Sequence, residues 1–219
     1  MRNQLFITGC VRSGTNWVYE ILSKYYISSY SEYFEYLNLE KRKIDFHDKD
    51  SLLFKINEDM RNLNLLQDYF PKCKILILLR NPLEVVNSIY KPSKKSIPYR
   101  PFVDLKEKWS REGEADLLPA AIRRFESYYP TETVNLITRK NKRVLVLKYE
   151  DLVNNFNYSI SKVFEFCKIK QNINFDDELL PLRTPNQGIC LKDFSLQNQK
   201  VILSSRIPFL CKSFNYPLG

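Results

Sequence analysis

The residues best suited to chemistry begin at Gly9, where Gly9-Cys10-Val11-Arg12-Ser13-Gly14-Thr15-Asn16-Trp17 follows the short apolar run Leu5-Phe6-Ile7. Two glycines, a cation and several hydroxyl or amide side chains are compressed between a strand-like run and the start of a helical period. A strand, a tight turn and a helix N-terminus in this order aim backbone N–H groups at one point, and the helix dipole adds partial positive charge. That arrangement suits a phosphate and needs no metal. Arg12 supplies a mobile cation, and the Ser13, Thr15 and Asn16 side chains add donors. The plainer alternative is a turn that only joins strand to helix. A second cation, Arg80, follows the apolar block Ile75-Leu76-Ile77-Leu78-Leu79 at its C-terminal end, where ligands gather in open α/β sheets. Asn81-Pro82 then starts a helix with Pro near its first turn, and Ser88 lies two turns further on. The planar fork of Arg80 can hold two anion oxygens at once. Its plainer use is a salt bridge at a strand end, as a solvated or back-bonded hydroxyl is for Ser88.

Such groups need elements to hold them. Apolar runs of strand length recur at Leu5-Phe6-Ile7, Leu52-Leu53-Phe54, Ile75 to Leu79 and Val144-Leu145-Val146-Leu147. The last two are nearly continuous and are expected to be buried on both faces, the pattern of parallel strands. Between them, Trp17, Val18, Ile21, Leu22 and Tyr25 share one helical face, as do Ile160, Val163, Phe164 and Cys167. Strands alternating with helices imply a three-layer α/β/α fold around a central parallel sheet, in one domain over residues 1–219. The Lys91 to Pro101 segment carries Pro92, Pro98 and Pro101 among Lys91, Lys94, Lys95 and Arg100, and is either a solvated connector or a basic lid. From Gln171 onward the pattern weakens, and this region is expected to wrap over the same core.

Composition narrows the partners. At 219 residues with 44% apolar and 27% charged content the chain is globular, not a disordered tail. Lys and Arg number 34 against 25 Asp and Glu, a formal charge of +9 that favours an anionic partner: nucleic acid, nucleotide, or a sulfated or phosphorylated polymer. A single histidine excludes a multi-His metal site. The five cysteines are odd in number and never in a C-x-x-C pair, which argues against a disulfide framework or zinc ribbon and fits a reducing compartment. No stretch approaches the roughly 18 apolar residues of a membrane span, and the run after Met1 is too brief for a signal-peptide core. The expectation is a soluble, cytoplasmic protein.

The Gly9-to-Gly14 spacing mimics the first part of a Walker A loop, yet Thr15 stands where its lysine belongs and Asn16 where its magnesium-binding Ser/Thr belongs. ATP hydrolysis is therefore disfavoured. Arg12-Ser13-Gly14-Thr15-Asn16-Trp17 instead resembles the 5′-phosphosulfate loop of the sulfotransferase family. Lys74 to Ser88, KILILLRNPLEVVNS, is similar to that family's strand, Arg-Asn/Asp-Pro turn and helix, which bind a 3′-phosphate. Val144 to Leu152, VLVLKYEDL, is similar to its late strand followed by Tyr-Glu-Asp-Leu. The three occur in the family's order and span most of Leu5 to Ile169. The resemblance implies a P-loop-like sulfotransferase fold and a metal-free transfer of sulfuryl from 3′-phosphoadenosine 5′-phosphosulfate (PAPS), with the desulfated nucleotide PAP as product. It implies that Arg12, Ser13, Gly14, Thr15, Asn16 and Trp17 contact the nucleotide, that Arg80 and Ser88 grip the 3′-phosphate and that Tyr149 approaches the adenine. Trp17 either stacks on the base or fills the first helix face. Glu150 and Asp151 fit a helix cap better than chemistry.

Sulfuryl transfer requires alignment of acceptor and donor, a base for the acceptor proton, and cations for the leaving bridging oxygen. Lys55, after Leu52-Leu53-Phe54, stands where the family commonly has a lysine and is assigned to the leaving oxygen with Arg12 beside it; a solvated strand-end lysine is the alternative. Cytosolic-type members carry a histidine two residues later, but here the position is Asn57, which exchanges no proton at neutral pH. The tyrosylprotein and carbohydrate branches use a glutamate. By that likeness Glu32 is the first candidate base and Glu35 the second, with Glu58 and Asp59 behind them, each against the alternative of a solvated carboxylate. His47, in a charged stretch, has the look of a surface residue, with a role as the base as its alternative. Cys10 is read as a small packing residue, although helix N-termini lower thiol pKa values. The acceptor is an unidentified small molecule, glycan or peptide offering a hydroxyl or amine. Competing functions are a nucleotide or small-molecule kinase of the same fold, a degenerate nucleotide binder, and a basic protein for RNA or a polyanion; specific nucleic-acid recognition is not expected. Arg183 to Gly188 is a loose substitute for the family's glycine-rich nucleotide segment.

Overall fold

The structure is a computed structural model of the 219-residue chain. It describes residues 3–31, 51–57, 60, 63–90, 117–169 and 188–219. The candidate bases Glu32, Glu35, Glu58 and Asp59, together with His47, the Lys91 to Pro101 segment and Arg183 to Gln187, lie outside the described residues. The chain divides into two compact units, one of residues 1–80 and 128–185, the other of residues 81–127 and 186–219.

The first unit is built on a five-stranded sheet: β1 (Asn3–Gly9), β2 (Ser28–Ser31), β3 (Ser51–Lys55), β4 (Lys74–Leu79) and β5 (Val144–Lys148). The order is β2-β3-β1-β4-β5 and every pair is parallel. Side chains alternate across the sheet, so β1 sends Leu5 and Ile7 to one face and Phe6 and Thr8 to the other. On the Leu5 face lie α1 (Thr15–Ser23), α6 (Tyr149–Asn154) and α7 (Phe156–Cys167), sharing one apolar cluster with Leu53, Leu76, Leu78 and Leu147. On the Phe6 face its ring stacks on Phe54 at 4.8 Å and tilts against Phe70 at 5.2 Å. Phe70 directly follows α2 (Leu63–Tyr69), and α5 (Thr131–Thr138) packs against α2 and β5. Helices cover both faces, the three-layer fold that alternating strands and helices imply.

Two departures from the sequence pattern have simple causes. The β2 segment Ser28-Ser29-Tyr30-Ser31 has no apolar run to announce it and is placed by backbone pairing with β3. In β5, Val144, Leu145 and Val146 are only half-buried, because among the described residues this strand is an edge that pairs with β4 alone. The predicted faces of α1 and α7 are buried, except that Tyr25 falls beyond the end of α1 and is exposed.

The second unit contains α3 (Pro82–Tyr90), α4 (Leu117–Glu126), α8 (Leu196–Leu203) and α9 (Ile207–Ser213), with a 3-10 turn at Leu191–Asp193. Within this unit α8 packs on α4, and α9 on α3 and α8. The reason is visible in Ile207, Leu210, Cys211 and Phe214, buried residues at a helical spacing that forms its own apolar face. None of the five cysteines forms a disulfide. Among the described residues no helix is long and apolar enough to cross a membrane.

Candidate active site

The chain passes from β1 to strands on one side of it and then to β4 on the other, so the carboxyl ends of β1 and β4 flank a topological switch point, where open α/β sheets bind ligands. The loop after β1 is shaped by a tight turn. The Ser13 N–H donates to the Cys10 carbonyl at 3.1 Å, and the Ser13 hydroxyl donates to the same oxygen at 2.6 Å. The hydroxyl's single proton thus closes the loop. Arg12 sits at φ 70°, unusual for a residue with a Cβ and of the kind concentrated at functional sites. Gly9 is required where β1 passes β4: a Cβ there would lie 2.5 Å from both the Leu78 carbonyl and the Ser13 hydroxyl. Gly14, at φ 89° and ψ 11°, caps α1 without a side chain; its carbonyl accepts from the Trp17 N–H at 3.1 Å, and the cap residue offers nothing to the N–H groups of Thr15 and Asn16. Those donors and the positive end of the helix are what an anion requires.

Three cations come from three adjacent strand ends. Arg12 is exposed on the loop itself. Lys55 ends β3 opposite Ile7 of β1, is 2% exposed, and donates from Nζ to Asn16 Oδ1. Arg80 follows β4, is 8% exposed, and donates from Nη1 to the Arg12 carbonyl at 2.9 Å. Its guanidinium carbon lies 4.6 Å from the ring centre of Tyr149, the first residue of α6. The loop and Arg80 are therefore joined directly.

The remaining candidates separate. Thr15 is buried and Asn16 exposed at the start of α1. Trp17 is buried in the core cluster, stacked on Phe156 at 5.4 Å and edge-on to Tyr149 at 6.4 Å. Tyr149 is also buried, its ring set against Gly14. Glu150 and Asp151 fall in the first turn of α6, where they complement the helix dipole, while the residue at the cap position is Lys148. Ser88 is half-buried on α3 in the second unit. In that unit Asn81 Oδ1 accepts from the Leu83 N–H at 2.9 Å and fixes the helix start at Pro82. Asn57 is half-buried, with Oδ1 buried and unpartnered among the described residues.

Two supporting residues escaped the sequence reading. Thr8 donates its hydroxyl to the Ile56 carbonyl at 2.7 Å, tying β1 to the turn after Lys55. Tyr129 lies fully buried against the loop, where burial pushes its pKa up against the pull of a hydrogen bond with the Cys10 backbone. Both are ordinary in sequence, one inside a strand and one in Tyr128-Tyr129-Pro130, and only the fold brings them to the loop.

A family model described as the sulfotransferase domain matches residues 2–201, and the chain belongs to the sulfotransferase family. Among solved structures it is similar to mouse sulfotransferase SULT7A1 complexed with PAP, at 17% identity and TM-score 0.53, over 82% of this chain and 64% of that one. It is also similar to the sulfotransferase domain of the Synechococcus PCC 7002 olefin synthase, at 13% identity and TM-score 0.54, over 100% of this chain and 98% of that one. The chain thus spans 64% of the mouse protein's length. These likenesses are of fold. No curated protein matches the sequence.

Proposed function

We propose that the chain transfers a sulfuryl group from PAPS to a hydroxyl or amine of a small-molecule, glycan or peptide acceptor. The observation that carries this is the joining of two anion-binding elements at neighbouring strand ends: Arg80 after β4 donates to the Arg12 carbonyl of the loop after β1. One element suits the 5′-phosphosulfate and the other the 3′-phosphate of a bisphosphorylated adenosine. The mouse relative was solved with PAP, which supports the same nucleotide here.

In the proposed step the acceptor oxygen or nitrogen forms a bond to sulfur as the bond from sulfur to the bridging 5′-phosphate oxygen breaks. PAP leaves with that electron pair. Lys55, Arg12 and the uncapped N-terminus of α1 stabilise the charge on the leaving oxygen, a contribution that grows only as the bond breaks. Gly14, Thr15 and Asn16 offer backbone donors, while Ser13 and Trp17 hold the loop and its helix in shape. Arg80 and Ser88 are assigned the 3′-phosphate. The acceptor proton goes to Glu32, one residue beyond Ser31, whose register partner is Lys55. These charges need no divalent ion, so transfer is proposed to be metal-independent. Five thiols support a reducing, cytoplasmic setting.

The test is PAP release from PAPS across a panel of phenolic, glycan and peptide acceptors, in EDTA, for the native protein and Lys55→Met. Turnover that survives EDTA and falls about 10²- to 10³-fold in Lys55→Met is expected. Turnover untouched by the substitution, or found only with magnesium and ATP, contradicts the proposal.

A further inference from the structure

We infer that Tyr149 is a positioning residue whose ring, and not its hydroxyl, holds the Arg80 guanidinium in the place where it receives the 3′-phosphate. This rests on the assignment of Arg80 to that phosphate.

Arginine side chains are long and rotatable, and a binding arginine left loose must be ordered when its anion arrives. Arg80 is ordered beforehand from two directions. Nη1 is directed to the Arg12 carbonyl at 2.9 Å, which sets one edge of the fork. The Tyr149 ring lies beneath the guanidinium carbon, 4.6 Å from it to the ring centre, well within the range of a cation–π contact. A hydrogen bond at one nitrogen and a ring beneath the central carbon together restrict where the guanidinium can sit.

The ring is itself held. It is 7% exposed, with Trp17 edge-on at 6.4 Å and 72°. Gly14 is where the loop makes room for it, since a Cβ there would fall 2.6 Å from Tyr149 Cδ2 and 2.9 Å from Cε2. One aromatic side chain therefore touches the loop of the first anion element and the cation of the second. The resemblance assigns Tyr149 to the adenine. The contacts with Gly14, Trp17 and Arg80 are all made by the ring, and a phenylalanine ring makes each of them equally.

Two measurements test this. Without ligand, the Arg80 side-chain Nε–H resonance should be shifted upfield by the Tyr149 ring current in the native protein, be retained in Tyr149→Phe and move to its ordinary position in Tyr149→Leu. An unshifted Arg80 signal in the native protein overturns the inference whatever the nucleotide. With ligand, titration calorimetry compares PAP with 5′-AMP, which lacks the 3′-phosphate. Tyr149→Leu should weaken PAP about tenfold and AMP less than twofold, Tyr149→Phe should change neither more than twofold, and Tyr149→Leu should add nothing once Arg80→Ala is present. Equal loss of PAP and AMP in Tyr149→Leu, or a loss in Tyr149→Phe matching that in Tyr149→Leu, overturns the inference and returns Tyr149 to the adenine. Should Arg80→Ala leave the PAP-to-AMP ratio unchanged while the ring-current shift is present, the 3′-phosphate assignment fails and the inference falls as a binding role.

Discussion

Replacing Gly14 with alanine should destabilise the fold by two separable amounts. The backbone there has φ 89° and ψ 11°, and a left-handed conformation costs an L-residue about 1–2 kcal/mol. The new methyl would lie 2.6 Å from Tyr149 Cδ2, against an optimum near 3.5–4.0 Å for carbon pairs. The ring cannot easily retreat, with the Arg80 guanidinium on its face and Trp17 at its edge. Overpacking of this kind adds about 1–3 kcal/mol, for a total of about 2–5 kcal/mol. Urea unfolding at pH 7 measures it on the native protein, Gly14→Ala, Tyr149→Leu and the double variant. In the Tyr149→Leu background the ring clash is gone, so the alanine should cost only the backbone share of about 1–2 kcal/mol. A loss below about 1 kcal/mol in the native background, or the same loss in both, refutes the steric reasoning.

Asn81→Ala removes the cap of α3 and should lower stability by about 1 kcal/mol, with Asn81→Asp retaining most of it; an unchanged urea midpoint in the alanine variant contradicts the capping role. Alkaline pH should unfold the protein through its buried thiols. Burial raises Cys73, Cys167 and Cys211 from 9.0 to about 11, so these thiols stay protonated in the fold while the unfolded chain loses their protons. Their contribution is complete below pH 9 and is lost as pH rises through about 11, at roughly 1.4 kcal/mol per pH unit for each thiol. Urea midpoints that stay level from pH 8 to 10.5 argue against it.

What the sequence disclosed and what it hid divide along physical lines. The strands β1, β3 and β4 were legible because central strands of a parallel sheet are apolar throughout, as Leu5-Phe6-Ile7 and Ile75 to Leu79 are. Edge strands carry weaker signals: β2 has no apolar run, and the apolar run of β5 implies more burial than an edge strand has. The loop from Gly9 to Gly14 could be read from residue types, since its chemistry is local. Its geometry could not: the positive φ of Arg12 and the return of the Ser13 hydroxyl to Cys10 follow from the fold around them. Long-range contacts were equally hidden. Nothing near Arg80 announces that it bonds the Arg12 carbonyl, or that Tyr149 supplies its platform, because strand order alone brings three distant segments to one edge. The C-terminal helices show the opposite case, in which a readable spacing from Ile207 to Phe214 was obscured by the prolines and the glycine that precede it.

The most direct measurement is titration calorimetry of the full chain with PAP in EDTA, beside 5′-AMP, which is PAP without its 3′-phosphate, at equal concentration. Two joined anion elements predict one saturable, exothermic site that survives EDTA and favours PAP over AMP by at least tenfold. No heat from PAP, or equal affinity for the two nucleotides, contradicts the claim that Arg80 and the Gly9–Gly14 loop together bind a bisphosphorylated adenosine.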